Sequence, residues 1–324
     1  MLGMHRGGTS ATAGALARLG LSPGDPSTLK GPSPVNPAGF WEQPPLTRLN
    51  DRILEHLGSA WDAPPPLVRP LPVAPSHLSE LELGDAFARV FTASPWVWKD
   101  PRACITLPLW MDTGALDPVV VLVLRNPLDV AASLAARDGA TPPFALALWE
   151  RSMRFALASA RGLPTIVTEY SELLADPVEW AGRIAGALGG FGLSSHGASP
   201  RMVAEFVDPD LRHHESPRAR LDREPWISHE QRELADALEA VRGTHASLDP
   251  GPLPPETDHT EWLLAERRRA VAEQRRLRAQ LRSPKTGRRG TSAGQPKAEP
   301  ADDAPPAPPG GSRSPFRVRR RRIR

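Results

Sequence analysis

MLGMHRGGTS, residues 1–10, carries the spacing of a phosphate-gripping loop with one part changed. In the GxxxxGKS or GxxxxGKT loop of nucleotide triphosphatases, glycines let backbone N–H groups wrap a phosphate while the lysine reaches the phosphates beyond it. Gly3 to Ser10 keeps that spacing, but Thr9 stands at the lysine position, and the nearest cation is Arg6, inside the loop. The stretch that follows, ATAGALARLG, is rich in small helix formers and closes at Gly20, so the loop opens a helix.

The 324 residues, 40% of them apolar, suffice for one domain of roughly 200 to 250 residues with appendages. No apolar run of about 18 or more residues spans a membrane, and no charged-then-apolar leader is expected at the N-terminus. The single cysteine, Cys104, excludes an intramolecular disulfide and a multi-cysteine metal site, and fits a reducing, cytoplasmic setting. Charge is unevenly placed. From Ala265 onward there are 18 basic against 5 acidic residues, which leaves 22 against 32 before it. The basic isoelectric point therefore describes the end of the chain, and a basic nucleic-acid-binding domain is not expected in its body.

Working outward from the loop, the chain alternates between two periodicities. PPLTRLNDRILEHLG places Leu46, Leu49, Ile53 and Leu57 three and four residues apart, the face of a helix, and LSELELGDAFARVF reads as another. PWVWK is expected as a short strand. PVVVLVLRNP holds the clearest buried strand, a continuous β-branched and leucine run ending at Arg125. PLDVAASLAAR starts a helix with Pro127 in its first turn, a long helix covers about 143–161, PTIVTEY is a further strand and DPVEWAGRIAGALGG a further helix. Strands alternating with helices imply an α/β fold, a mostly parallel sheet with helices on both faces. EWLLAERRRAVAEQRRLRAQLR is helical, with Leu263, Ala270 and Leu277 at heptad spacing, a weak coiled coil that would serve self-association through 259–282. From about Ser283 the chain is rich in Pro, Gly, Ala and Arg, and disorder is expected. The domains are thus read as 1–258, a basic helix at 259–282 and a tail at 283–324.

The missing lysine has a counterpart at the end of VVVLVL. A nucleotide triphosphatase places an acid there for Mg²⁺; this chain places Arg125. A cation at that point repels the metal and attracts a second anion. Together, RGGTS, LRNPLDVAAS and YSELLADP resemble three elements of the sulfotransferases that use 3′-phosphoadenosine 5′-phosphosulfate, particularly bacterial members whose loop reads GMHRSGTS. The resemblance spans most of residues 1–190. It implies a P-loop nucleotide-kinase-like three-layer sandwich, whose first strand is expected to be truncated because only Met1 and Leu2 precede Gly3. It also implies that Arg6, Gly7, Gly8, Thr9 and Ser10 hold the 5′-phosphosulfate, that Arg125 and Ser133, eight positions on, hold the 3′-phosphate, and that Tyr170 contacts the adenine. No metal is called for. Gly7 replaces the family's usual serine.

For the group that takes the acceptor's proton, the resemblance leaves two candidates. A histidine two residues after a strand-end lysine is excluded, since that position here is Pro101. The phrase NPAGFWEQPPL puts Glu42 at the start of the second helix, as in branches that use a glutamate base, with Phe40 and Trp41 beside it to desolvate it. Asp100, next to Lys99 at the end of PWVWK, is the rival, or the ion-pair partner of Arg102; Lys99 itself stabilises the transferred group. Glu42 is preferred. The acceptor is a hydroxyl or amine, of a carbohydrate, glycolipid or small metabolite. LRHHESPRARLDREPW offers His213, Arg218 or Arg220 to the nucleotide but lacks the family's RKGxxGDW pattern, and a solvated loop is the simpler reading. RVRRRR suits contact with anionic lipid or nucleic acid, or plain solvation. A nucleotide-binding scaffold without turnover and a nucleotide kinase are the alternative functions.

Overall fold

The computed structural model describes all residues except 34–35, 68–79, 115, 194–198, 209–213 and 283–324. The expected tail at 283–324 therefore lies outside the described residues. Met1–Leu281 forms one compact unit and Arg282–Arg324 a second, of which Arg282 alone is described.

The fold is mixed α/β, a small sheet among many helices. In chain order the elements are α1 (Thr9–Arg18), α2 (Pro44–His56), α3 (Glu80–Val90), α4 (Ala103–Met111), β1 (Val120–Leu124), α5 (Pro127–Asp138), α6 (Pro142–Ala160) and β2 (Thr165–Glu169). Then follow α7 (Tyr170–Ala175), α8 (Pro177–Gly190), α9 (Pro200–Phe206), α10 (His229–Ala240), β3 (Gly243–His245) and α11 (Asp258–Arg282). The sheet order is β1-β2-β3. β1 and β2 are parallel, with Leu122 opposite Val167, while β3 pairs antiparallel to β2, so the three strands make a mixed sheet.

All five β1 residues are buried, and they serve two cores in alternation. Val120, Leu122 and Leu124 join the cluster built by α2, α4 and α6, whereas Val121 and Val123 join Leu16 of α1 with Trp180 and Ile184 of α8. A strand covered on both faces has no polar side to show, which is why its sequence runs apolar without alternation. Full burial of each Val or Leu contributes about 1.5–3 kcal/mol, so this strand anchors both layers of side chains.

Beyond β1 the ladder reduces to single bridges. Leu2 pairs in parallel with Leu122, its N–H donating to Val121 O at 2.9 Å and its carbonyl accepting from Val123 at 3.0 Å. The expected first strand is thus present as one bridging residue. PWVWK is not a strand: Trp96 bridges Ser22, and the Met1 ammonium donates to Trp98 O at 2.8 Å. Side chains hold the segment instead, Phe87 packing edge-on to Trp96 at 4.9 Å and Trp98 to Trp110 at 5.0 Å. Aromatic pairs in this arrangement are worth about 0.5–1.5 kcal/mol each beyond area burial.

α11 packs on the core through the buried Leu264 and Val271, with Leu263 partly buried beside them, while Leu277 is half exposed.

Candidate functional site

Three chain reversals at the carboxyl ends of parallel segments meet at one cleft: residues 3–8 after Leu2, Arg125 after β1, and Tyr170 after β2. The cleft encloses about 590 Å³, the size of a small-molecule site.

The loop positions its groups through backbone that few residues tolerate. Gly8, at φ 84°, is the N-cap of α1 and supplies no side chain to cap it. The first-turn amides of α1, at the positive end of the helix dipole, are therefore not capped by a side chain, which is the arrangement an anion uses. A Cβ on Gly8 would lie 2.3 Å from Cγ of Tyr170, so the tyrosine ring rests directly on the loop. Arg6 also has a left-handed φ, 64°. Its Nε donates to Ser133 Oγ at 2.8 Å, and its carbonyl accepts from Nη1 of Arg125 at 2.8 Å. Arg125 Nη2 donates to His214 O at 3.2 Å, and its guanidinium stands 5.2 Å from the Tyr170 ring centre. Arg6, Arg125, Ser133 and Tyr170, more than a hundred positions apart at the extremes, thus form one cluster. Burial, and then the nearby charge of Arg137, hold the pKa of Arg6 below its ordinary value.

Thr9 and Ser10 both line the cleft, and the Ser10 hydroxyl already has partners in the fold. Ser10 Oγ donates to Phe40 O at 3.4 Å and accepts from Asn36 Nδ2 at 3.2 Å, which fastens α1 to the loop before α2. Thr9 is buried, with its methyl against Gly3.

Glu42 and Lys99 lie on the cleft wall as a buried pair, Nζ to Oε1 2.6 Å, with Lys30 Nζ 3.7 Å from Oε2. Burial pulls the Lys99 pKa below its usual value, offset only in part by Glu42. Asp100 is not on that wall. Its Oδ1 accepts from the Arg102 backbone N–H at 3.0 Å and from Arg102 Nη1 at 3.1 Å, and its Oδ2 accepts from Asn50 at 2.9 Å. Asn50 in turn accepts from Thr106 and Trp110, both at 2.8 Å. Asp100 is thereby the centre of a closed polar network under α4, the ion-pair reading of that residue.

The segment after α9 reaches the cluster through its backbone. His214 O and Ser216 O accept from Arg125 and Asn126, whereas Arg218 pairs with Asp236 and Arg220 with Glu224. His213 lies outside the described residues.

Among the residues of the cleft wall that were not singled out from the sequence are His5, Lys30, Trp61, Arg137 and Phe206. Arg137 was within reach of it, being one helical turn beyond Ser133 on α5. Phe206 had no local signal: its ring fills the space where a Cβ on Gly14 would stand, 2.2 Å from Cζ, and Arg18 sits over it at 3.6 Å. Among the described residues, no group of three or more His, Cys, Asp or Glu converges as a metal site would. No protein family, curated protein or solved structure matches the chain.

Proposed function

We propose that the chain is a sulfotransferase with a P-loop nucleotide-kinase-like sandwich fold, working in the cytoplasm. It moves a sulfuryl group from 3′-phosphoadenosine 5′-phosphosulfate to a hydroxyl or amine acceptor. The observation that carries this reading is the cluster around one cleft of two anion-binding devices: the uncapped N-terminus of α1, and Arg125 with Ser133, joined by Arg6. A nucleotide with phosphate at both ends needs two such devices, and an ordinary triphosphate needs one.

When bound, the donor supplies the sulfuryl group and a bisphosphate leaving group. The α1 amides hold its 5′ end, Arg125 and Ser133 its 3′-phosphate, and Arg6 bridges the two. Glu42 takes the proton from the acceptor hydroxyl as its oxygen bonds to sulfur and the bond from sulfur to the phosphate oxygen breaks. Lys99, already 2.6 Å from Glu42, offers its ammonium to the charge left on the departing oxygen.

Calorimetry with adenosine 3′,5′-bisphosphate and with ATP, each with and without Mg²⁺, tests this. One charged hydrogen bond is worth about 1.5–3 kcal/mol, so the bisphosphate should bind at least about 10-fold more tightly, with or without metal. Tighter, Mg²⁺-dependent binding of ATP would overturn the reading in favour of a kinase. A second reading, a nucleotide-binding scaffold, is favoured by one observation: Lys99 at 2.6 Å and Lys30 at 3.7 Å compete with an acceptor hydroxyl for the oxygens of Glu42. Bisphosphate binding with no turnover, unchanged by Glu42→Gln, would select it.

A further inference from the structure

His5 lies in the loop between Met4 and Arg6, and the mechanism above gives it no part. The residue lines the same cleft as Glu42 and Lys99, yet its Nε2 is enclosed without a hydrogen-bond partner among the described residues. A buried ring nitrogen left unpaired is unfavourable, and a ligand group that pairs with it gains about 10- to 100-fold in binding. The ring lies against Trp61, with centroids 4.6 Å apart and planes inclined at 49°. Trp61 stands on a tight turn closed by the Ala60 and Ala63 backbones, with N–O distances of 3.1 and 3.0 Å. Reaching Nε2 requires the side chains that enclose it, Trp61 among them, to turn aside.

We propose that His5 Nε2 recognises the acceptor, receiving a hydrogen bond from an uncharged hydroxyl other than the one that is sulfated, so that the acceptor is a polyol and not an amine. This rests on the sulfotransferase reading and names the substrate class of the same cleft. Charge decides the matter. Burial first, and then the charges of Arg102, Lys99, Arg137 and Lys30, which at the ring outweigh the acids they pair with, among them Asp100, Glu42 and Asp138, hold its pKa well below the usual value. A proton from the acceptor would be unstable on this ring, so His5 is not the base. The same four cations oppose entry of an alkylammonium group, the form most amines take at neutral pH. A hydroxyl meets no such opposition and can donate to a neutral imidazole nitrogen.

The test uses the full chain, donor labelled in the sulfuryl group, and matched probes: methyl glucoside and inositol as polyols, cyclohexanol as a simple alcohol, and cyclohexylamine. Wild type should sulfate a polyol with kcat/KM at least about 10-fold above the simple alcohol and the amine. His5→Phe keeps a ring against Trp61 and should lower polyol kcat/KM by about 10- to 100-fold, with bisphosphate affinity by calorimetry within about 2-fold. His5→Gln, whose amide carries an acceptor of similar reach, should restore part of the loss. The proposal is overturned if His5→Phe keeps full polyol turnover, if the amine is preferred, if no polyol is turned over, or if bisphosphate affinity falls as far as turnover. Failure of wild type to bind the bisphosphate is a separate result, which removes the sulfotransferase reading itself.

Discussion

Gly8 meets two demands at once, a left-handed backbone that disfavours a side chain and the face of Tyr170, which leaves no room for one. A non-glycine residue at such a φ loses about 1–2 kcal/mol, and a methyl 2.3 Å from Cγ of the ring adds the cost of moving the ring. Gly8→Ala should therefore lower the midpoint of thermal unfolding by more than the backbone penalty, and Tyr170→Ala in the same chain should return only the excess. A double-mutant cycle measures that excess; strictly additive effects would mean that the two groups do not touch. At this scale the sequence exposes what is local. The loop spacing marks Gly8 and Arg6 and the strand end marks Arg125, each a feature of one short stretch, whereas Ser133 enters through the resemblance. The sequence does not expose what a distant segment supplies. Ser10 is engaged by Asn36 and Phe40, Asp100 by Asn50, and none of these partners is announced by the residues they hold.

β1 and β2 were legible as runs of Val, Ile, Leu and Thr, and α2, α5, α6 and α8 by period, proline or cap. α4 was not, because ACITLPLWM is buried around most of its circumference and contains Pro108, leaving neither a polar face nor an uninterrupted run. β3 is three residues long and becomes a strand by pairing with β2. Where β2 turns into α7, Glu172 ties these two elements to α8 and to the link between α10 and β3. It accepts from the Glu169 N–H at 3.1 Å and from Thr168 at 2.9 Å, and it pairs with Arg183 of α8 at 2.8 Å and with Arg242, just beyond α10. Burial alone would raise its pKa, but the Glu169 and Thr168 hydrogen bonds and the two guanidiniums outweigh it and hold the group below 4.5. A folded-state pKa below the unfolded one gives stability that is present above about pH 4.5 and lost as pH falls through the folded value. Glu172→Gln should thus lower stability at pH 7 and flatten its decline as pH falls through the carboxylate range, as followed by urea unfolding at several pH values. An unchanged slope would mean that the carboxylate is not held in this way.

Across the whole molecule, the long helix α6 is the central post, and its buried charges fix what leans on it. Glu150 accepts from Arg154 at 2.8 Å, from Gln231 of α10 at 3.1 Å and from Thr260 of α11 at 2.7 Å. Arg151 reaches Glu256 at 2.5 Å and Glu261 of α11 at 2.5 Å. Charges so placed are tolerated because each is paired, and removing a partner strands the other. A chain ending at Thr257 loses Thr260 and Glu261 along with the buried Leu264 and Val271. Two apolar side chains amount to about 3–6 kcal/mol, so calorimetry should show a midpoint roughly 10 °C or more lower. A midpoint within about 2 °C would mean that α11 is an appendage. The same connectedness reaches the one sulfhydryl of the chain. Cys104, on α4, accepts from the Gly3 N–H at 3.3 Å, and burial pushes its thiol up to about 12. A thiol-directed dye can reach that sulfur only when the packing around it opens, the glycine loop being one side of that packing, so any compound that fastens the loop should slow labelling.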